Sequence, residues 1–372
     1  MSSDVIVVGS GIVGMACAWA ACQQGLSVTV IDRDPVCVGA SIRNFGFVTV
    51  TGQGSGTTWR RARRSRDVWA ELAPRAGIEV LHTGLWVQAR RPQAQGVLQE
   101  LCGREQGQQL QWHEASALRE LAPALAQPGV LGALYSPHEI RIEARQAVEQ
   151  LRQWLASQGV KFHMGVSAQH IAAGEVHTTI GLLKAPRIAL CPGAQLGDLF
   201  PHVFKRRAVR LCQLQMLRVE PPPGYRLPAA VMSDLSLVRY RGYSELPSAQ
   251  ALAQRLEQEA AAELAEGIHL IIVQSADGSL VVGDSHHYGD AMPPFASARV
   301  EQLILDEMQR MLGLSHYAVS ERWTGIYPSG AEDAFIESVL PGVELVSVTS
   351  GTGMSTAFAL AEDWLESWRS SQ

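Results

Sequence analysis

The stretch Asp4-Val5-Ile6-Val7-Val8-Gly9-Ser10-Gly11-Ile12-Val13-Gly14-Met15-Ala16 decides the fold. Its apolar run reads as a buried strand, then breaks into a Gly-x-Gly-x-x-Gly loop ahead of a segment that reads as a helix to about Gln24. Gly25 stops that helix, and residues 27–32 read as a second strand ending in Asp32. A strand, glycine loop, helix and strand in this order cradle a dinucleotide. The first glycine permits the tight turn, the second lets a pyrophosphate approach the backbone, and the third lets helix and strand pack closely. The helix N-terminus attracts phosphate charge, and a carboxylate at the end of the second strand accepts hydrogen bonds from ribose hydroxyls. Gly9, Gly11, Ile12, Val13, Gly14, Asp32 and the adjoining Arg33 are the nucleotide-site candidates.

Outward from this unit, a loop of small and polar residues leads to an expected helix from Thr57 to Ala76. Residues 82–88, 212–219, 268–274 and 279–284 read as strands, and Asp277-Gly278 reads as the turn of a hairpin joining the last two. Residues 248–266 and 295–312 carry apolar side chains at helical spacing, for example Val300, Leu303, Met308 and Met311. Elsewhere βα character returns: helix 143–157, strand 161–166, and strand 187–191 running into Pro192-Gly193-Ala194. Near the end, strand 343–349 runs into Ser350-Gly351-Thr352-Gly353 and a helix over 354–368. The expectation is an α/β chain. A Rossmann-type domain is assembled from residues 1–80, 143–205 and 315–372. An α+β domain with a mostly antiparallel sheet is built from 81–142 and 206–314.

The 372 residues suit two domains with a large core: 47% are hydrophobic and 18% charged. A formal net charge of −5 argues against a general polyanion binder, so no nucleic acid is expected. Six cysteines without disulfide or metal-ligand spacing read as reduced thiols in a cytoplasm, and no metal ligands are assigned. The opening Met1-Ser2-Ser3-Asp4 lacks the basic start of a signal peptide, and no apolar window is long enough for a spanning helix, so no membrane association is expected.

The choice between FAD and NAD(P) turns on the closing glycine loop. A reduced flavin carries negative charge at its pyrimidine end and needs donors there. A glycine loop opening a helix, as over residues 349–355, supplies backbone N–H groups and a positive dipole end. An ordinary strand–turn–helix link fits the same residues, and an NAD-dependent dehydrogenase remains an alternative.

Three motifs together resemble the D-amino-acid oxidase superfamily, in its glycine-oxidase and sarcosine-oxidase branch. They are the opening fingerprint with Asp32, the segment Gly39-Ala40-Ser41-Ile42-Arg43-Asn44-Phe45-Gly46, and Trp323-Thr324-Gly325-Ile326-Tyr327-Pro328 followed by the Gly351/Gly353 loop. The resemblance implies FAD. It places Ser41, Asn44, Phe45 and Gly46 by the pyrophosphate or flavin, Val166 at the adenine and Gly193 along the cleft. Gly351, Gly353, Met354 and Ser355 then face the flavin pyrimidine. More narrowly, Ser41 to Val48, Gln213-Leu214-Gln215-Met216, Gly283-Asp284-Ser285-His286 and Arg322 to Pro328 are similar to a sub-branch associated with phosphonate breakdown. That likeness implies oxidation of an N-methylated 2-aminoethylphosphonate to phosphonoacetaldehyde, methylamine and hydrogen peroxide, with O2 as acceptor. Two departures matter. Tyr327 stands where amino-acid oxidases of the superfamily commonly carry a carboxylate-clamping arginine, and no cysteine occupies the region of Gly283 to Tyr288, so FAD is expected to be non-covalent.

An acid group on the substrate calls for Arg, His, Tyr or Lys. The candidates are Arg43, Arg239, Tyr240, His286, His287, Arg322 and Tyr327, with Tyr327, His286 and Arg43 nearest the chemistry. Simpler readings stand beside these: a solvated pair for His286 and His287, a structural ion pair for Arg43, and a solvated sheet edge for Arg239 and Arg241. The five arginines of Arg60 to Arg66 read as interdomain or subunit ion pairing, with one of them free to turn toward the site. Other functions compatible with these residues are a glycine, sarcosine or D-amino-acid oxidase, an amine dehydrogenase with a non-oxygen acceptor, and a flavoprotein whose FAD is structural. The residues do not specify an oligomeric state.

Overall fold

A computed structural model of the chain describes residues 2–369. The strand Val5–Val8 lies between Val28–Asp32 and Arg187–Leu190, with Lys161–Met164 and Val343–Ser350 outside them, all parallel. Alternation along these strands feeds two cores. Val5, Val7, Val28 and Val30 point to a helical layer, while Ile6 and Ile31 point to the opposite face. On that opposite face lies a three-stranded antiparallel sheet, Ala168–Ala172, Glu175–Thr178 and Gly181–Lys184, which contributes Ile171, Val176 and Leu183. This small sheet had no counterpart among the expected elements, because its strands are short and their outer faces polar.

The helical layer is tightly interlocked. Helix Ile12–Gln23 is buried on most sides, and its alanines let neighbouring helices approach closely. Helix Gly353–Arg369 packs against it and against helix Thr57–Arg75. Phe358 meets Trp19 and Trp69 edge-on at 5.1 and 5.0 Å, and Trp69 Nε1 donates to Met354 O at 2.8 Å. The arginine run serves this layer. Arg61 pairs with Asp363 and Arg64 with Glu362, each at 2.7 Å, and Arg63 stacks over Trp59. Those two pairs join neighbouring helices of one layer rather than domains or subunits, and none of the five arginines lines the cavity described below.

The large sheet continues beyond Val343–Ser350 through the strand Ala318–Leu340. One half of that strand pairs antiparallel with Val343–Ser350 and the other with Arg210–Glu220. From there the order runs through Leu280–Gly283, Ile271–Gln274, Ala230–Met232, Val80–Ala89, Gly132–Ile142 and Phe47–Val48, mostly antiparallel. The α/β class with a parallel nucleotide-side sheet and a mostly antiparallel remainder is as expected. The expected hairpin turns at Asp277, whose carboxylate accepts from Ser279 N at 3.0 Å. The helix expected over 248–266 is instead two helices, Ala249–Glu259 and Ala261–Ala265, parted at Ala260, whose φ of −134° is not helical. Among the described residues, no helix is long and apolar enough to cross a membrane.

Candidate active site

The opening loop is built so that only glycine fits. Gly9 has φ +106°, and a Cβ there would lie 2.3 Å from Cys191 O; a Cβ on Gly14 would lie 1.9 Å from Gly9 O. Asp32 braces this loop: Oδ2 accepts from Ser10 N at 2.7 Å and Ser10 Oγ at 2.8 Å, and Oδ1 accepts from Asp34 N at 2.9 Å. The segment 40–46 folds onto it. Ser41 Oγ accepts from Ile12 N at 2.9 Å. Asn44 donates to Ala40 O and Ser41 O at 2.8 and 3.0 Å and accepts from Gly46 N at 2.7 Å. The closing turn arrives at the same place, since a Cβ on Gly353 would lie 3.3 Å from Ile12 Cγ2.

A cavity of about 390 Å³ runs from this junction, within the size range of ligand pockets. Gly11 to Gly14, Ser41, Asn44 and Gly193 line one end, and Gly351 to Ser355 line its side. Two helix N-termini, those of Ile12–Gln23 and Gly353–Arg369, open on it with no acidic residue in either first turn. Their first-turn amides and positive dipole ends suit a pyrophosphate and an electron-rich ring edge. The cradle therefore fits a dinucleotide on geometry alone.

At the other end the lining becomes polar: Arg239, Tyr240, His269, Asp284, His286 and Tyr327. Tyr327 faces Cys212 across paired strands and places its hydroxyl 3.5 Å from an Arg239 nitrogen. Burial works against the Arg239 charge, but Tyr327, Tyr288 and Asp284 hold its guanidinium above its ordinary range, so it stays charged. Among the described residues no carboxylate lies within 4.0 Å of it. His269 and His286 stack at 4.6 Å between ring centroids. Burial first, then neighbouring positive charge, hold both below the usual histidine range, so both rings are neutral at neutral pH. Burial pushes the Asp284 carboxyl up to about 7, against the opposing pull of Arg239.

The comparisons agree with this geometry. The sequence pattern of the DAO family, described as FAD dependent oxidoreductase, matches residues 4–366. The chain belongs to the FAD dependent oxidoreductase family. Its cofactor is FAD. The chain is 24% identical over 378 residues to one of the subunits of opine oxidase from Rhizobium meliloti, covering 96% of this chain and 91% of that protein. It is 23% identical over 349 residues to the bifunctional protein ThiO/ThiG of Nostoc sp., covering 90% of this chain. It spans about half, 47%, of the length of that relative. The glycine oxidase structure from Bacillus cereus superimposes with a TM-score of 0.79 at 15% identity, covering 100% of this chain and 96% of that one, which speaks to the fold alone.

Within this FAD dependent oxidoreductase, several expected site residues fall elsewhere. His287 turns to Glu266 Oε2 at 2.8 Å and Arg322 to Glu301 at 2.7 Å; both lie outside the cavity lining. Neighbouring strands and helices supply each with a carboxylate. Arg33 reaches Asp198 at 3.2 Å, and Val166, whose N–H donates to Asp32 O at 2.8 Å, is buried in a core cluster and is not part of the cavity wall. Arg239 is not on a solvated sheet edge, because it follows a 3-10 turn over Asp234–Val238 that carries it inward; Arg241 does face solvent, paired with Glu245. Among the described residues Arg43 has no ion-pair partner: it lines the cavity and donates to Thr324 O at 3.3 Å. His286 is buried in the cavity wall rather than solvated.

His269 and Asp284 were not among the residues expected at the site. A signal for Asp284 alone was present: residues 284 and 286 share a face of an extended segment, whereas residue 269 lies beyond the paired stretch Ile271–Gln274 and its place follows only from packing. One ring nitrogen each of His269 and His286 and a carboxylate oxygen of Asp284 lie within 4.8 Å of one another.

Proposed function

We propose that the chain oxidises a small amine that also carries an anionic group, with an N-methylated 2-aminoethylphosphonate as substrate. Oxidation gives an imine, which water hydrolyses to phosphonoacetaldehyde and methylamine, with hydrogen peroxide when O2 is the acceptor. Arg239 carries this reading: a charged guanidinium in the cavity wall, facing Tyr327 and with Asp284 nearby but no carboxylate within 4.0 Å among the described residues, is an anchor for a substrate oxyanion. Tyr327, in place of a carboxylate-clamping arginine, adds a hydroxyl donor and favours a substrate other than a plain α-amino acid. The names of the glycine oxidase and opine oxidase relatives support an oxidase.

In this reading, the amides around Gly11 to Gly14 hold the FAD pyrophosphate, Ser41, Asn44 and Gly193 flank it, and Gly353 and Met354 face the flavin. When bound, FAD supplies a two-electron acceptor for the C–H bond beside the substrate nitrogen. The chain itself orients and desolvates the amine: Arg239 and Tyr327 fix the acid group, and Phe47, Leu214 and Ile271 give the cavity apolar walls that limit water. We assign residues 1–80, 143–205 and 315–372 to FAD binding and 81–142 and 206–314 to the substrate.

Anaerobic titration of the yellow protein with N-methyl-2-aminoethylphosphonate, glycine, sarcosine and D-alanine tests this. Bleaching of the flavin absorbance by the phosphonate, and peroxide release on admitting air, are expected. Bleaching by glycine or D-alanine but not by the phosphonate would overturn the substrate assignment.

A further inference from the structure

The amine end of the cavity holds groups that anion binding leaves unused. Asp284 is 4% exposed, lines the cavity, and its Oδ1 has no hydrogen-bond partner among the described residues. His286 Nδ1 lies 2.9 Å from Gly267 O, which can only accept, so Nδ1 carries the hydrogen and Nε2 of the neutral ring is an acceptor, whose donor in this structure is His269 Nε2 at 3.4 Å. That acceptor nitrogen also faces Asp284 Oδ2 at 3.7 Å. Two electron-rich atoms turned toward each other make a place for a proton. His269 Nε2 stands 3.3 Å from Asp284 Oδ1 and 3.4 Å from His286 Nε2, completing the enclosure.

We propose that Asp284 accepts the proton of the substrate's ammonium group, an inference that rests on the amine-oxidation reading above. An alkylammonium ionises at about 10, so only about one molecule in a thousand carries a free nitrogen lone pair at pH 7. In the step assigned to Asp284, the N–H bond breaks and the proton bonds to a carboxylate oxygen. The nitrogen keeps the electron pair, and nothing is oxidised. The new carboxylic acid then donates toward His286 Nε2. The other groups facing Asp284 are Arg239, Tyr240 and Cys212, from two further segments of chain. Arg239 favours the ionised carboxylate, whereas Tyr240 and Cys212 are held above their usual ranges by burial and stay neutral. With its carboxyl pushed up to about 7, Asp284 is poised to give and take a proton near neutrality.

Rapid-mixing measurement of flavin bleaching in the anaerobic holoenzyme, from pH 6 to 9 with saturating N-methyl-2-aminoethylphosphonate, tests this. The wild-type rate is expected to rise to a plateau above about pH 7. Asp284→Asn is expected to be at least about 100-fold slower at pH 7 and to climb about tenfold per pH unit, following the free amine. Asp284→Glu, which keeps a carboxylate, is expected to recover the plateau, guarding against misfolding as the cause. A readout without turnover uses the quaternary N,N,N-trimethyl analogue, which has no proton to lose. The ratio of its affinities for wild type and Asp284→Asn is expected to rise up to about tenfold from pH 6 to 8, as the carboxylate forms. If no amine bleaches the wild-type flavin, the amine-oxidation reading falls first. If the wild type is bleached and Asp284→Asn shares its rate and pH profile, the Asp284 assignment alone falls. A chelator-removable metal ion at one per chain, held by the same trio, would also overturn it.

Discussion

The two ends of the cavity are made of different material. The nucleotide end is backbone: glycines, helix N-termini and amides set by a contiguous loop and one return turn. The amine end is side chains, brought from the segments around residues 239, 269, 284 and 327. At Gly9 and Gly14 the first kind of site tolerates no added atom, because backbone oxygens lie 2.3 and 1.9 Å from where a Cβ would sit. The second tolerates shape changes but depends on charge and protonation. Substitutions at the first end should therefore abolish cofactor uptake outright, and at the second should change affinities and pH profiles while the protein stays yellow.

The largest effect is expected from Gly14→Ala. Its methyl would lie 1.9 Å from Gly9 O, and purified protein should be colourless and take up no FAD, as read by flavin absorbance per chain. A yellow variant would break the contrast. Next comes Arg239→Ala. Loss of charge-assisted hydrogen bonds of about 1.5–3 kcal/mol predicts a KM for an anionic amine raised about 10- to 150-fold, with unchanged FAD content. An unchanged KM would remove Arg239 from the substrate site.

A smaller effect concerns stability. The Asp284 carboxyl is raised to about 7 in the folded chain and ionises near 4 when unfolded. Between those values the folded state holds the extra proton, so stability falls as pH rises, by about 1.4 kcal/mol per pH unit for this group. Asp284→Asn lacks this loss, and thermal melts of the two proteins should diverge in favour of the variant as pH goes from 4 to 7. Parallel curves would mean that the carboxyl is not raised. The smallest effect lies far from both ends. Glu362→Gln breaks the half-exposed pair with Arg64 and should cost under about 1 kcal/mol, less at high salt, with no change in flavin reduction.

The same contrast explains what was legible in the sequence. The cradle is local, so Gly9 to Gly14 and Asp32 could be read from spacing, and the closing turn at Gly351 and Gly353 from its strand–loop–helix context. The substrate end depends on register between distant strands. Arg322 and His287 stood among the substrate-anchor candidates with Tyr327 and His286, yet Glu301 and Glu266 claim them. Those carboxylates come from the helix Ala298–Leu312 and the end of the short helix Ala261–Ala265, whose placement follows only from packing. The three-stranded sheet over 168–184 escaped notice because an antiparallel cap of short strands shows little hydrophobic patterning of its own.

The strand Ala318–Leu340 carries one further consequence. Because it is laddered to Arg210–Glu220 along one part and to Val343–Ser350 along the other, it belongs to both halves of the molecule at once. Swinging the halves apart like jaws would strip backbone pairing on at least one side of Gly325 to Gly330, in the wall of the cavity itself. Entry and exit must therefore use side chains and surface loops around a frame that keeps its shape, and Tyr327 rides on that frame, paired with Cys212.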